Sequence, residues 1–139
     1  MTHIGERSGV TVVPREAELE LPATPASVPA GRRLVRGVLV EWGLEPLLET
    51  AELLVSELVT NGIKHAESYV HITVRANGDL TITVTDARPD LLPVPLDNLG
   101  NLEADGGRGL ALVATLSDDW GVHRDESSKS IWFSLRPAA

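Results

Sequence analysis

The pattern that most restricts the fold of this chain lies in residues 69–84, where apolar and polar residues alternate on both sides of Asn77-Gly78-Asp79. Such alternation predicts two strands, each with one buried and one exposed face, and the turn between them joins them as an antiparallel β-hairpin. A sheet with one apolar face needs a second layer to cover it. The rest of the chain must therefore supply amphipathic elements that pack on this face.

Two amphipathic helices are predicted before the hairpin. The first follows a proline-rich turn, with Ser27 as its expected N-cap, and ends at Gly43. The second is expected from Pro46 to about Lys64, where apolar residues recur at three- and four-residue intervals. The remaining predicted elements are a strand near residues 18–21, a short helix at 110–116, and closing strands at 120–123 and 130–135.

These elements predict an α+β fold, a two-layer sandwich with a mixed, mostly antiparallel sheet and its helices on one face. A chain of 139 residues is the size of one domain. We place that domain at residues 18–139, after a flexible N-terminal leader at residues 1–17. The proline-rich stretch 89–105 is long for a loop in so small a domain, which indicates a functional or mobile segment.

Composition excludes several classes of function. Twelve Lys and Arg against twenty Asp and Glu give a formal net charge of −8. This charge repels a phosphate backbone and argues against direct nucleic-acid binding, although backbone amides can still hold a small anion. The absence of cysteine removes disulfides and thiol catalysis. With neither a signal-peptide pattern nor the roughly 18 apolar residues of a membrane span, we expect a cytoplasmic protein without a membrane partner.

Glu57, Asn61 and His65 lie on successive turns of the second predicted helix, along one edge of its apolar stripe. A carboxylate can accept a proton from a hydroxyl and an amide oxygen can ligate Mg²⁺, so this spacing suits phosphoryl transfer. A simpler interpretation is that these polar residues only solvate the border of the helix face. The triplet alone leaves both interpretations open.

Two further motifs could contact a nucleotide. Asp86 follows the strand at 80–84 and could accept a hydrogen bond from an exocyclic amine such as that of adenine, although Asp is also common in turns. Glycines surround Arg108 just before the helix at 110–116, where backbone amides could hold phosphate oxygens. A flexible loop explains the glycines about as well. A dinucleotide-binding fingerprint is excluded, because it requires a surrounding parallel strand–helix–strand unit.

The order of these motifs resembles the GHKL ATPase superfamily. The segment SELVTNGIKHA at residues 56–66 is followed by Asp86 and then by Gly106-Gly107-Arg108-Gly109-Leu110. The short chain and the helical segment are most similar to the bacterial anti-sigma-factor serine/threonine-protein kinases, and the resemblance spans residues 19–135. It implies a Bergerat-type, histidine-kinase-like ATP-binding fold with ATP and Mg²⁺ as cofactors.

The resemblance also implies a role for each motif. Glu57 corresponds to the catalytic base and Asn61 to the Mg²⁺ ligand. Asp86 corresponds to the aspartate that binds the adenine amine, and Ser130 retains a hydroxyl that could support Asp86 or a bound water. The implied nucleotide-binding set is Asn61, His65, Asp86, Gly107, Arg108, Gly109, Leu110 and Ser130.

Some residues depart from the family pattern. Arg88 and Asp90 occupy positions where the family usually has two glycines, which changes the expected shape of the adenine pocket. The kinases also have an arginine early in the first helix that contacts the protein substrate. Arg32 is near that place, but Arg33 and Arg36 are close by, and a solvated basic face is an equal alternative.

The sequence leaves three functions open. The first is a kinase that phosphorylates a serine of an anti-sigma-factor antagonist and also sequesters a sigma factor. By resemblance these two proteins are its partners, and a homodimer is also open. The second is a binding module in which ATP sets the partner surface without phosphoryl transfer. The third is an interaction domain that has lost nucleotide binding, which Arg88 and Asp90 would favour.

Overall fold

The computed structural model describes residues 11–13, 15–65, 69–87 and 110–137. Its strands are β1 (Thr11–Val13), β2 (Glu16–Pro22), β3 (Tyr69–Asn77), β4 (Asp79–Ala87), β5 (Asp119–Arg124) and β6 (Ser128–Leu135). They form one six-stranded sheet in the order β1-β2-β3-β4-β6-β5. Every pairing between these described strands is antiparallel. The predicted α+β sandwich is therefore confirmed.

The helices pack on one face of this sheet. Helix α1 spans Ser27–Glu41 and helix α2 spans Leu48–His65, with a short 3₁₀-helix at Glu45–Leu47 between them. Residues 110–116 are helical as well, as predicted. Pro46, expected at the start of the second helix, instead lies in the 3₁₀-helix. The order of elements thus follows the sequence prediction, with the short 3₁₀-helix and strand β1 added.

The ends of α1 show how it is joined to the sheet. The prediction of Ser27 as N-cap is wrong, because Ala26 occupies that position and the Ser27 hydroxyl instead donates to the Pro22 carbonyl at 2.5 Å. This bond ties the start of α1 to the end of β2. After the helix, Gly43 has a φ of +74°, which glycine adopts without strain and which ends the helix where predicted.

The first strands begin earlier than the sequence indicated. The pairing of β2 with β3 starts at Glu16 opposite Arg75, and β1 adds a further pairing on the outer edge of β2. Part of the expected leader is therefore in the sheet, because its strand conformation depends on pairing with β2 and β3 and not on a local periodicity. Residues 1–10 and the loop expected at 89–105 lie outside the described residues.

The hydrophobic core lies between the helices and one face of the sheet. Its inward rows are Val70, Ile72, Val74 and Ala76 on β3, Leu80, Ile82 and Val84 on β4, and Ile131, Phe133 and Leu135 on β6. Gly31 allows α1 to approach this layer closely, since a Cβ there would lie 3.1 Å from Cδ1 of Ile72. The β4 row continues through Asp86 and the β6 row through Lys129, so two charged residues lie buried in the same layer.

The opposite face of the sheet carries hydroxyl side chains. Thr81, Thr83 and Thr85 alternate with the inward row of β4 and are partly exposed. On this face the indole of Trp132 covers Gly121, its partner on β5. A Cβ at Gly121 would lie 2.7 Å from Nε1 of Trp132. The indole therefore requires a glycine at this point of the sheet.

We predict that Gly121→Ala lowers the free energy of unfolding by about 1–3 kcal/mol, because the added methyl group overlaps the Trp132 indole and displaces it. Denaturant unfolding followed by circular dichroism measures the change. Gly37→Ala on α1 is the matched control, since no neighbouring side chain of the described residues lies within 4 Å of a Cβ there. That variant should be more stable by up to about 1 kcal/mol. If Gly121→Ala is as stable as the wild type, the close packing of the Trp132 indole over Gly121 is wrong.

Candidate functional site

Asp86 is the last inward-facing residue of β4. Its backbone pairs with Val70 on β3 and with Lys129 on β6, and the strand continues to Ala87. The alternative of a turn aspartate is therefore wrong, because the strand is held by partners on both sides at this position. The residue is 2% exposed, and its side chain faces the helix layer. A carboxylate here can act only on a group that enters between the helices and the sheet.

Lys129 lies directly opposite Asp86 and was missed by the sequence analysis. Its Nζ is 3.2 Å from Oδ2 of Asp86, and the two side chains are 6% and 1% exposed. A buried charge is strongly unfavourable unless a partner compensates it, so this ion pair makes both residues tolerable in the core layer. Lys129 precedes Ile131 by two residues and Phe133 by four, so all three point to the buried face of the strand. A lysine in this alternating row was the sequence feature that could have identified it.

Ser130 is not brought to Asp86 by the structure. Its hydroxyl is 2.7 Å from the Thr85 hydroxyl, on the face of the sheet that is turned away from the helices. The alternation along β6 explains this, because neighbouring residues of a strand point to opposite faces. The ammonium of Lys129 lies beside Asp86, where we expected a hydroxyl.

Asn61 lies on the part of α2 that faces this end of the sheet, and it is 4% exposed. Its Oδ1 is buried and has no hydrogen-bond partner within the described part of the chain. The same holds for Oδ1 of Asp86, the oxygen that does not face Lys129. Buried polar atoms in native proteins nearly always have partners. Two such acceptors in one layer therefore indicate a place that a ligand or water completes.

Gly62 brings the helix that carries Asn61 against the strand that carries Asp86. A Cβ at Gly62 would lie 3.4 Å from Cγ2 of Val70 and 3.9 Å from Cβ of Asp86. The backbone of α2 next to Asn61 therefore passes directly over the ends of β3 and β4. The two motifs that the sequence analysis selected independently meet at one contact between a helix and the sheet.

Glu57 lies one turn before Asn61 on α2 and is half-buried. The preceding residue, Ser56, accepts a hydrogen bond from Nη1 of Arg32 at 3.1 Å. Arg36 instead forms an ion pair with Glu52, with Nε and Oε2 separated by 2.8 Å. Of these two exposed arginines on α1, Arg32 is therefore the one that contacts Ser56, the neighbour of Glu57.

The other predicted site residues divide into two groups. His65 is the last residue of α2, but its side chain lies outside the described residues, as do Gly107, Arg108 and Gly109. Leu110 is 6% exposed and belongs to the hydrophobic core, so only its backbone is available to a ligand. Within the described ranges, no cluster of three or more His, Asp or Glu residues could hold a metal ion.

A single amide oxygen nevertheless fits Mg²⁺. This ion usually keeps several waters and takes further oxygens from substrate phosphates, so it does not need a complete set of protein ligands. Oδ1 of Asn61, buried and without a hydrogen-bond partner in the described ranges, is a hard oxygen ligand of the kind that Mg²⁺ prefers.

In the part of the chain that the structure describes, no helix has the length and apolar content to span a membrane.

Comparison with known proteins finds a matching family and similar kinases. Residues 21–135 match the family model described as "Histidine kinase-like ATPase domain". The serine-protein kinase RsbW of Listeria monocytogenes is 28% identical over 125 residues, which cover 78% of this chain and 79% of that protein. RsbW of Listeria innocua shows the same values.

A solved structure supports the fold independently. It contains the RsbU and RsbW domains of Rv1364c from Mycobacterium tuberculosis, and it superimposes with a TM-score of 0.65 at 17% identity. The similarity covers 93% of this chain but only 34% of the longer one, so this protein corresponds to about a third of it. Because the family model extends over most of the sequence, this chain belongs to the histidine kinase-like ATPase domain family.

Proposed function

We propose that this chain binds Mg²⁺-ATP between α2 and the sheet and acts in the cytoplasm as an anti-sigma-factor serine/threonine kinase. The observation that carries the proposal is the pair of buried acceptors, Oδ1 of Asn61 and Oδ1 of Asp86, without hydrogen-bond partners among the described residues. Such an atom is unfavourable by about 1–3 kcal/mol, and a bound ligand removes that cost. The family and the kinase relatives support a nucleotide as this ligand.

Each acceptor suits a different part of the nucleotide. Asn61 would hold Mg²⁺ through its amide oxygen, and Asp86 would accept a hydrogen bond from the adenine amine. The bound metal would supply positive charge beside the phosphates. The remaining proposed contacts are His65, Gly107, Arg108, Gly109 and the backbone of Leu110. Ser130 is left out, because its hydroxyl is bonded to Thr85 on the other face of the sheet.

Glu57 is the proposed general base. It lies on the same helix edge as Asn61 and remains partly accessible, so its carboxylate could accept the proton of a serine hydroxyl that attacks the terminal phosphate. Arg32 is the arginine that we propose contacts the protein carrying this serine, and its hydrogen bond to Ser56 supports this choice. We propose an anti-sigma-factor antagonist as this substrate and a sigma factor as the protein that the chain sequesters.

One observation favours a second candidate, an interaction domain that does not bind nucleotide. Lys129 already engages one oxygen of Asp86, and a base would have to enter beside an existing ion pair. Oδ1 of Asp86 and Oδ1 of Asn61, which have no hydrogen-bond partner among the described residues, favour the nucleotide-binding candidate. Titration of the purified protein with ATP, with and without Mg²⁺, separates the two candidates directly.

We predict that Asn61→Ala removes most of the Mg²⁺-dependent part of the ATP affinity, because it deletes the only proposed protein ligand of the metal. Isothermal titration calorimetry with ATP in Mg²⁺ and in EDTA measures this part. Thr60→Ala, an exposed neighbour on α2, is the control and should titrate like the wild type. Identical Mg²⁺-dependent curves for Asn61→Ala and the wild type would remove Asn61 from the site.

We predict that Asp86→Asn weakens ATP binding by more than about tenfold, because a charge-assisted bond to the base is lost. The same variant breaks the buried ion pair with Lys129, so the protein should also lose stability. Binding is therefore measured at a temperature where circular dichroism shows the variant to be folded. Asp79→Asn, at the exposed start of β4, is the control. Unchanged affinity would mean that another group binds the base.

We predict that Glu57→Ala abolishes phosphate transfer to a serine of the antagonist but leaves ATP affinity nearly unchanged. A general base acts mainly in the transition state, so its loss lowers turnover more than binding. Transfer from radiolabelled ATP to the antagonist, together with calorimetry, measures both quantities. Glu49→Ala, exposed in the first turn of α2, is the matched control. Wild-type transfer by Glu57→Ala would reject the assignment.

A further inference from the structure

Lys129 is buried at the point where the proposed site would bind a base. It faces the helix layer from β6, directly opposite Asp86, and its Nζ is 3.2 Å from Oδ2 of that carboxylate. The other inward residues of β6 are apolar, so this lysine places a positive charge in a layer that otherwise carries none on that strand. Packing alone would be served as well by an apolar residue, so the function of the charge must be sought in its effect on Asp86.

We propose that Lys129 is the positioning residue for base recognition. It binds Oδ2 of Asp86, compensates the charge of the carboxylate and fixes its orientation, so that Oδ1 is the oxygen offered to an exocyclic amine. This inference rests on the proposed function, because it concerns how the nucleotide site selects its base.

The two carboxylate oxygens are in different environments, and this difference carries the inference. Oδ2 faces Lys129, whereas Oδ1 is buried without a hydrogen-bond partner among the described residues. A carboxylate oxygen accepts hydrogen bonds, and an exocyclic amine donates them. Because Lys129 engages Oδ2, Oδ1 is the oxygen that could accept a hydrogen bond from the amine of an amino-purine.

The backbone makes this arrangement stiff. Strands β4 and β6 pair continuously from Leu80 opposite Leu135 to Ala87 opposite Ser128. Asp86 and Lys129 thus lie on adjacent strands inside a continuous ladder, and Gly62 of α2 lies close above Asp86. The ion pair is held by the sheet itself and does not depend on a loop for its position.

The test compares ATP with purine riboside triphosphate, which differs from ATP only by the missing exocyclic amine. Calorimetry in Mg²⁺ gives the ratio of the two affinities for each variant. The wild type should prefer ATP by about tenfold or more, as expected for a charge-assisted hydrogen bond. Lys129→Met should lose most of this preference, and Lys129→Arg should retain most of it, because the charge is kept.

The matched control is Arg75→Met, which removes a cation from an exposed ion pair with Glu16 in the same sheet. Its preference for ATP should equal that of the wild type. If Lys129→Met does not fold, Lys129→Gln, which keeps a neutral donor, takes its place. In an Asp86→Asn background, Lys129→Met should cause no further loss of preference, because a positioning residue acts only through the group that it positions.

A measurement on the nucleotide-free protein tests the ion pair separately. Removing Lys129 alone leaves the buried carboxylate of Asp86 without this cation, whereas removing both residues removes the two charges together. The double variant D86N/K129M should therefore unfold at a higher temperature than Lys129→Met. Strictly additive losses would show that the pair does not couple the two residues, and the proposal would be wrong.

The remaining outcomes separate this inference from the proposed function. If the wild type binds ATP and Lys129→Met keeps the full preference for ATP, the inference alone is wrong. Tighter ATP binding by Lys129→Met than by the wild type would also overturn it, since Lys129 would then compete with the base for Asp86. If neither protein binds nucleotide, the proposed function fails and the inference fails with it.

Discussion

The register of the antiparallel pairs β3–β4 and β4–β6 is the constraint on which the rest of the structure depends. Side chains alternate between the faces of a strand, so a shift of one residue would turn the core row outward and move Asp86 to the other face. Gly78, with a φ of +85°, closes the β3–β4 hairpin with Asn77 opposite Asp79. This tight turn fixes the first of the two registers.

A second turn fixes where β6 enters the sheet. The Asp125 carboxylate accepts hydrogen bonds from the backbone N–H of Ser127 and from the backbone N–H and hydroxyl of Ser128, at 3.0–3.1 Å. These bonds, that from Ser127 first, hold the pKa of Asp125 below its usual value, because they favour the charged carboxylate. Since β6 starts at Ser128, this turn determines that Lys129 is the first residue of the strand to face the helices.

The buried polar groups of this layer oppose stability and indicate function. An ion pair in an apolar core is often no more favourable than well-packed apolar residues, and unpartnered acceptors are a net cost. Asp86, Lys129 and Asn61 are all buried at the contact that Gly62 makes with the ends of β3 and β4. The fully buried apolar residues beneath α1 and α2 stabilise the fold and offset the unfavourable burial of these polar groups. Such a concentration of unfavourable groups is expected where a protein binds its ligand.

The sequence by itself determined the local elements, and only the tertiary structure decided which residues meet. Periodicity is a local property, so alternation predicted the hairpin, and three- and four-residue spacing predicted α2 with Glu57 and Asn61 on one edge. The neighbour of Asp86 depended on β6, and there Ser130 pairs with Thr85, which precedes it by 45 residues, on the outer face. Lys129 took the inner position instead. No local pattern encodes the register between strands so far apart in the chain, because that register is set by turns and by packing against the helices.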